Sequence, residues 1–416
     1  MPAPATTPPP ATPPPAVPPP LGLYCHVPFC ADTCDFCAFY QQPPKRDDIT
    51  RFLDGVGREL GLAPPDRAAD TFFWGGGTPG ILAPDALTRL AAEFVRANGG
   101  ALPAEWTVEL SPATADARRL AALRAAGVTR ISLGVQSFDP ATLAALGRHY
   151  NPAQIFAAWE RIRAANFRDT SLDLIFAAPG QDEARWRRDL ETAVSLAPDH
   201  ISTYCLTLEE DAALYLRLAR AAGAPPRPDA EREAALYRET WAFLEGAGYA
   251  QYEVSNFARR GRECRHNLNT WRMAEWLGYG PAAASQSGGR RFQNPADLDR
   301  WLANIDTAAG VTGTGAIARE QVVELTPELL LQDALVFGLR MNAGVSLTDA
   351  ERRFGACYPA ALRELGERLA AEGLLEITAA GTTGDAATGD AGDLWRLTLE
   401  GRLRADAVAL AVLEAF

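Results

Sequence analysis

The sequence has one lysine, Lys45, among 40 basic residues, so its cations are almost all arginine. A bias this uniform reflects base composition, and no recognition chemistry is inferred from it. Positive charge is also in deficit: 52 acidic residues against 40 basic ones leave a net charge of −12. That balance excludes a general affinity for nucleic acid or anionic membrane. No apolar run approaches the ~18 residues of a membrane span. The N-terminus lacks the basic segment and apolar core of a secretory signal. Cysteine is scarce, with seven residues, four of them between Cys25 and Cys37. An odd, clustered set is not a disulfide framework. The expected compartment is a reducing cytoplasm, where such thiols bind metal or do redox work.

A chain of 416 residues that is 47% hydrophobic can bury one large core and a smaller one. Residues 1–20, "MPAPATTPPPATPPPAVPPP", form a Pro/Ala tail, expected to be extended and solvated because proline fixes φ and donates no hydrogen bond. Strand and helix patterns then alternate. "LGLYCHVPF", "DTFFWGG", "EWTVELSP", "VTRISLGVQSF", "TSLDLIFAAP" and "HISTYCLTL" read as strands, separated by amphipathic segments such as "PDALTRLAAEFVRA". Roughly six β–α units in a row predict a parallel sheet with helices outside, and ligands at the carboxyl ends of its strands. From residue 226 the pattern turns helical, with an irregular stretch over 252–285. Residues 321–416 read as a separate unit of helices followed by two strands, "LLEIT" and "LWRLT", around the Gly-rich loop "AAGTTGDAATGDAGD". Helices followed by a two-stranded wing suggest a winged-helix-like domain. Without a basic stripe, a partner-binding or lid role fits it better than DNA binding.

Cys30, Cys34 and Cys37 form C-x3-C-x2-C, which lets one tight loop bring three thiolates to a common centre. A structural zinc site takes four protein ligands, and a [4Fe–4S] cluster normally takes four thiolates, one per iron. Three thiolates therefore suit a cluster with one iron open to a substrate or cofactor. The alternatives are a zinc knuckle completed by Cys25, or plain buried thiols. Cys25 lies within a strand pattern and reads as core. Cys205 and Cys357 are also expected in the core, and Cys264 beside His266 is left open.

"YCHVPFCADTCDFC" resembles the cluster loop of radical S-adenosylmethionine (SAM) proteins, in particular the HemN/HemW family of oxygen-independent coproporphyrinogen III oxidases and HemW-type haem chaperones. The resemblance extends over nearly the whole chain after the tail. It implies a partial (β/α)6 radical SAM barrel (residues 21–225), a family-specific extension (226–320) and the C-terminal helical, winged-helix-like domain (321–416). It implies a [4Fe–4S] cluster on Cys30, Cys34 and Cys37 and SAM chelating the open iron. Reductive cleavage of SAM would then give a 5′-deoxyadenosyl radical.

"FFWGGGTPGIL" is similar to the family's GGGTP turn. Its glycines are expected to bring backbone N–H groups close to a ligand, and the family assigns SAM contacts to Gly76, Gly77 and Thr78. A phosphate loop is the rival, but no G-K-[ST] follows. Further matches at strand ends carry SAM contacts to Tyr24, Glu109, Gln136, Arg148 and Asp173, and, by position alone, to Phe36 and Thr207. Each taken singly could equally be a cap or a loop hydrogen bond.

The family's oxidases carry a further cysteine where this chain has Phe39, which points to the HemW-like side. "HNLNTW" is similar to that side's haem-associated H-N-x-x-Y-W motif and makes His266 the candidate haem ligand. A histidine capping a turn is the competing reading. Implied partners are haem or a porphyrin, a flavodoxin-like electron donor and a haem-acceptor protein. The chain departs from the family at Thr270 (Tyr), Ala284 (His), Ala282 and Ala177 (Gly), and Ser111 (Asn). Two other functions stay open on sequence: SAM-dependent oxidative decarboxylation of coproporphyrinogen III, and a non-catalytic zinc-binding interaction protein.

Overall fold

The computed structural model describes residues 19–210, 212–223, 229–310, 317–379 and 393–416. Six strands alternate with helices through its first half. They are β1 (Leu21–Val27), α1 (Arg46–Leu62), β2 (Thr71–Gly76), α2 (Pro84–Ala97), β3 (Glu105–Leu110), α3 (Ala117–Ala126), β4 (Arg130–Gln136), α4 (Pro140–Ala145), α5 (Pro152–Ala164), β5 (Asp169–Phe176), α6 (Glu183–Ser195) and β6 (His200–Cys205). β1 to β6 pair in parallel, each with the next, so the expected partial (β/α)6 barrel is present. Several helices start where the sequence provides caps. Asp116 accepts from Arg118 and Arg119 N–H at α3, and Asn151 with Gln154 forms a capping box around Pro152 at α5. Trp74, Trp106, Phe72 and Phe94 pack edge-to-face between sheet and helices, with ring centroids 5.0–5.6 Å apart.

The helical reading beyond residue 226 needs correction. After α7 (Ala213–Ala222) and α8 (Ala230–Gly246) come β7 (Ala250–Glu253), β8 (Asn256–Ala258), α9 (Arg265–Trp271), β9 (Glu275–Tyr279), β10 (Ala284–Ser287), β11 (Arg290–Gln293), α10 (Leu298–Gly310) and β12 (Glu320–Glu324). The stretch read as irregular therefore holds short strands of the sheet and the helix α9. These strands extend both sides of the parallel core into one twelve-stranded sheet, in the order β12-β11-β10-β9-β1-β2-β3-β4-β5-β6-β8-β7. Strands of three to five residues show too little alternation to be read locally.

The C-terminal unit holds α11 (Pro327–Gly338), β13 (Val345–Ser346), α12 (Leu347–Phe354), α13 (Ala360–Ala371), β14 (Leu375–Ala379), β15 (Asp393–Leu397), α14 (Leu399–Leu403) and α15 (Ala405–Glu414). Its wing is a three-stranded sheet, β13-β15-β14, not the expected two strands. The Pro/Ala tail to residue 18 and the Gly-rich loop over 380–392 lie outside the described residues. Among the described residues no helix is long and apolar enough to cross a membrane.

Candidate functional site

β1 ends at Val27 and the cysteine loop follows, so the loop sits at the carboxyl end of the sheet. The turn after β2 lies directly against it. Gly77 N–H donates to Val27 O (2.9 Å) and Thr78 N–H to Phe29 O (2.8 Å). A side chain on Gly77 would stand 2.7 Å from both of those carbonyls, and one on Gly76, at φ +94°, would enter the His26 ring. The glycines thus serve close packing of two loops. This corrects the expected role of the turn's N–H groups: that of Gly77 is spent on the end of β1, that of Thr78 on Phe29 just beyond it, and that of Gly76 on the Glu109 carboxylate. Thr78 Oγ1 meets Cys30 Sγ at 3.5 Å and ties the turn to the first thiol.

The three thiols are half-buried. Burial pushes Cys34 up to about 11, against the Arg148 charge, which lowers it, while Cys37 and Cys30 raise it further. Among the described residues no three His, Cys, Asp or Glu side chains converge on a point that a single ion could occupy. A mononuclear zinc needs its sulfurs at ~2.3 Å from one centre, whereas a four-iron cluster takes each thiolate on a different iron. Three thiolates on one loop match three irons of such a cluster and leave the fourth without a protein ligand. Cys25 is fully buried in β1, as expected. Cys205 is only half-buried, and Cys357 is exposed, contrary to its expected place in the core. Cys357 lies in the turn between α12 and α13, where nothing packs over it.

A cavity of about 380 Å³ adjoins the loop, lined among others by Cys34, Thr78, Ser111, Arg119, Arg148 and Tyr150. The Arg148 guanidinium lies 5.4 Å from the Phe36 ring and 5.7 Å from Tyr150. Its Nε is buried without a hydrogen-bond partner among the described residues. A cavity beside open thiols with an orphaned cationic donor fits an anionic group of a bound cofactor. Phe36 itself packs against Leu146, Ile175 and Ala178.

Below this rim the sheet's inner face carries the acids. Burial, reinforced by the charge of Asp173, pushes Glu109 up to about 8, and the Gly76 N–H opposes the shift. Asp173 is raised by burial but accepts from Ser132 Oγ at 2.9 and 3.0 Å and from Ser202. Tyr24 OH bonds His26 Nδ1 at 3.1 Å. Gln136 ends β4 at φ +67°, past a bulge at Gly134. The Tyr150 hydroxyl donates there to Gly134 O (2.8 Å) and Val135 O (3.1 Å). Sequence reasoning missed Ser132, Ser202 and Tyr150. The two serines share the inward register of Asp173, which strand alternation could have revealed.

Two candidates stand apart. Thr207 lines a second cavity, with Tyr204 and Glu253. His266 lies at the opposite end of the sheet. It sits on α9, which closes off the amino ends of the strands. His266 Nδ1 bonds Thr71 Oγ1 at 2.9 Å, and its backbone N–H donates to Glu105 Oε1. Thr71 begins the strand that Gly76 ends, so the imidazole is on the order of 15 Å along the sheet from the GGG turn at ~3.3 Å per residue. The ring stacks on Phe73 at 5.1 Å, and burial lowers it to about 4, so it is neutral. Its Nε2 has no hydrogen-bond partner among the described residues. Phe39, in place of a further cysteine, is 70% exposed.

A sequence model of the Radical SAM superfamily matches residues 24–193. The heme chaperone HemW of Mycobacterium tuberculosis (strain H37Rv) is 34% identical over 399 residues, covering 94% of this chain and 94% of its own. The heme chaperone HemW of Bacillus subtilis is 31% identical over 355 residues, covering 83% and 91%. In the solved structures, coproporphyrinogen III oxidase (HemN) from Escherichia coli, described as a radical SAM enzyme, matches with a TM-score of 0.76 at 23% identity. The match covers 95% of this chain and 90% of that one, and shows a shared fold.

Proposed function

We infer that this chain, which belongs to the HemW-type branch of the radical SAM proteins, binds haem as a chaperone and carries a [4Fe–4S] cluster and SAM at the carboxyl ends of its barrel strands. The observation that carries the reading is the pairing of an open-sided thiol loop with a buried, neutral imidazole whose Nδ1 already has a partner. Neutral histidine fixed through one nitrogen is the form that ligates iron through the other.

Cys30, Cys34 and Cys37 would hold three irons and leave the fourth for SAM. When bound, these groups supply one-electron reductive chemistry at the SAM sulfonium. The chain's own residues orient and enclose. Gly76, Gly77 and Thr78 present carbonyl and hydroxyl oxygens beside the loop, because their N–H groups are engaged. Arg148, stacked on Phe36, takes an anionic group with its free Nε. Glu109, Asp173, Gln136, Tyr24 and Thr207 supply acceptors and donors along the inner face. His266 takes the haem iron through Nε2. The electron donor is taken to be a flavodoxin-like protein and the recipient a haem-acceptor protein. A clustered thiol set that would hold an iron–sulfur cluster suits a reducing compartment, and we assign the cytoplasm.

Anaerobic reconstitution should give about four irons per chain, by the cluster stoichiometry. Haem titration should give a Soret band that weakens in His266→Ala while iron content and SAM binding persist. An unchanged band in that variant removes His266 as ligand, and no band at micromolar haem removes the chaperone. Conversion of coproporphyrinogen III with release of 5′-deoxyadenosine would replace it by the oxidase.

A further inference from the structure

The second cavity, about 450 Å³, lies between β6, the β7–β8 hairpin, α9 and the C-terminal unit. Four of its lining residues carry a buried polar atom with no hydrogen-bond partner among the described residues: Glu253 Oε2, Asn256 Oδ1, Trp271 Nε1 and Arg340 Nε. Glu253 is 1% exposed and Asn256 4%. Buried polar groups are nearly always satisfied, so four unpartnered polar atoms on residues lining one cavity point to a ligand with both donors and acceptors. Its volume falls in the range of small-molecule sites.

Arg340 sets the charge of that ligand. Its guanidinium lies 5.1 Å from the Trp271 ring. Its ion-pair partner is Asp406, 3.7 Å away and fully exposed on α15, beyond hydrogen-bond length. A weakly neutralised guanidinium over an indole whose N–H has no partner among the described residues calls for a carboxylate. Burial raises Glu253, with Arg340 acting against the shift. A proton on Oε2 would let Glu253 donate to an incoming carboxylate instead of repelling it. The walls beside it, Tyr204 and Trp271, are flat and aromatic. Trp271 also belongs to the same short helix as His266.

We propose that this cavity is a carboxylate anchor in which Arg340 and Trp271 Nε1 hold an acid side chain of a flat tetrapyrrole. The proposal rests on the haem reading above and names the part of the cargo that this cavity grips.

The test titrates haem, metal-free mesoporphyrin IX and mesoporphyrin dimethyl ester into the cluster-loaded protein, with Arg340→Gln and Asp406→Asn as variants. Arg340→Gln should weaken both diacids about tenfold, the loss of one charge-assisted hydrogen bond, and leave the ester unchanged. Asp406→Asn, which frees Arg340 of its competitor at an exposed position, should tighten the diacids. Diacid affinities unchanged in both variants overturn the anchor and leave haem binding intact. Mesoporphyrin binding that depends on Arg340, without haem binding, keeps the anchor and removes the chaperone. If no porphyrin binds, both are overturned.

Discussion

Two alanines show how a single residue can hold strain. Ala177 and Ala282 stand where the family resemblance has glycine, and both keep the left-handed backbone, at φ +61° each. That conformation costs alanine about 1–2 kcal/mol, while glycine gives back about 0.5–1 kcal/mol in unfolded-chain entropy. Ala177→Gly and Ala282→Gly should therefore each stabilise the protein by up to about 1 kcal/mol, read as a higher denaturant midpoint. A lower midpoint would mean that methyl packing outweighs the strain. Glu109 adds a pH dependence. Its folded-state value of about 8 lies above its ordinary 4.5. The folded state therefore binds the proton more tightly, and stability present below pH 4.5 is lost as pH rises to about 8. In melts of cluster-free protein, Glu109→Gln should gain on the parent across that window and level off above it. His266 acts in the other direction. Lowered to about 4 from 6.5, it contributes stability above 6.5 that is lost as pH falls towards 4.

At the scale of elements, α7 clasps the cysteine loop. Leu214 N–H donates to Asp35 O at 2.7 Å, and Arg217 pairs with the Asp35 carboxylate while donating to Ala145 O at 2.7 Å. The ion pair is half-exposed, so global stability should move by no more than about 1 kcal/mol on its removal. Local opening of the loop is a separate equilibrium. Arg217→Ala should take up the same iron anaerobically and lose its visible absorbance faster in air. An unchanged decay would show that the clasp does not guard the loop. α9 does the opposite job at the other end, closing the sheet's amino ends through Thr71 and Glu105. Gly22 is needed there, since a side chain on it would stand 2.9 Å from the His266 ring.

For the whole molecule, we propose division into a barrel over 21–225, an extension over 226–320 and a C-terminal unit over 321–416. The last has its own core, centred on Leu335, Leu362, Trp395 and Val412. It meets the extension through polar contacts, Arg402 with Gln251, Arg238 with Glu400 and Asn342 with Tyr252 O, and through the ring pair Trp271–Phe337. A fragment of residues 321–416 should keep its helical circular dichroism and melt cooperatively. A non-cooperative melt would make the unit dependent on the barrel. In this layout the thiol loop and His266 occupy opposite ends of one sheet, and the Arg340 cavity lies beside α9.

Much of this was legible in the residues in order. Strand and helix alternation over 21–205, the Cys30/Cys34/Cys37 spacing and the GGG turn each depend on neighbours within one turn or loop, where local sterics and hydrophobic period decide the outcome. Tertiary structure alone decided the rest. The short strands β7 to β12 exist because a long sheet offers them an edge, not because their few residues prefer extension. The N–H groups of Gly77 and Thr78 are engaged because β1 ends beside β2. His266 is far from the cysteines, and Arg340 is near Trp271, because chain segments distant in sequence pack together, and no spacing rule within a sequence encodes those distances.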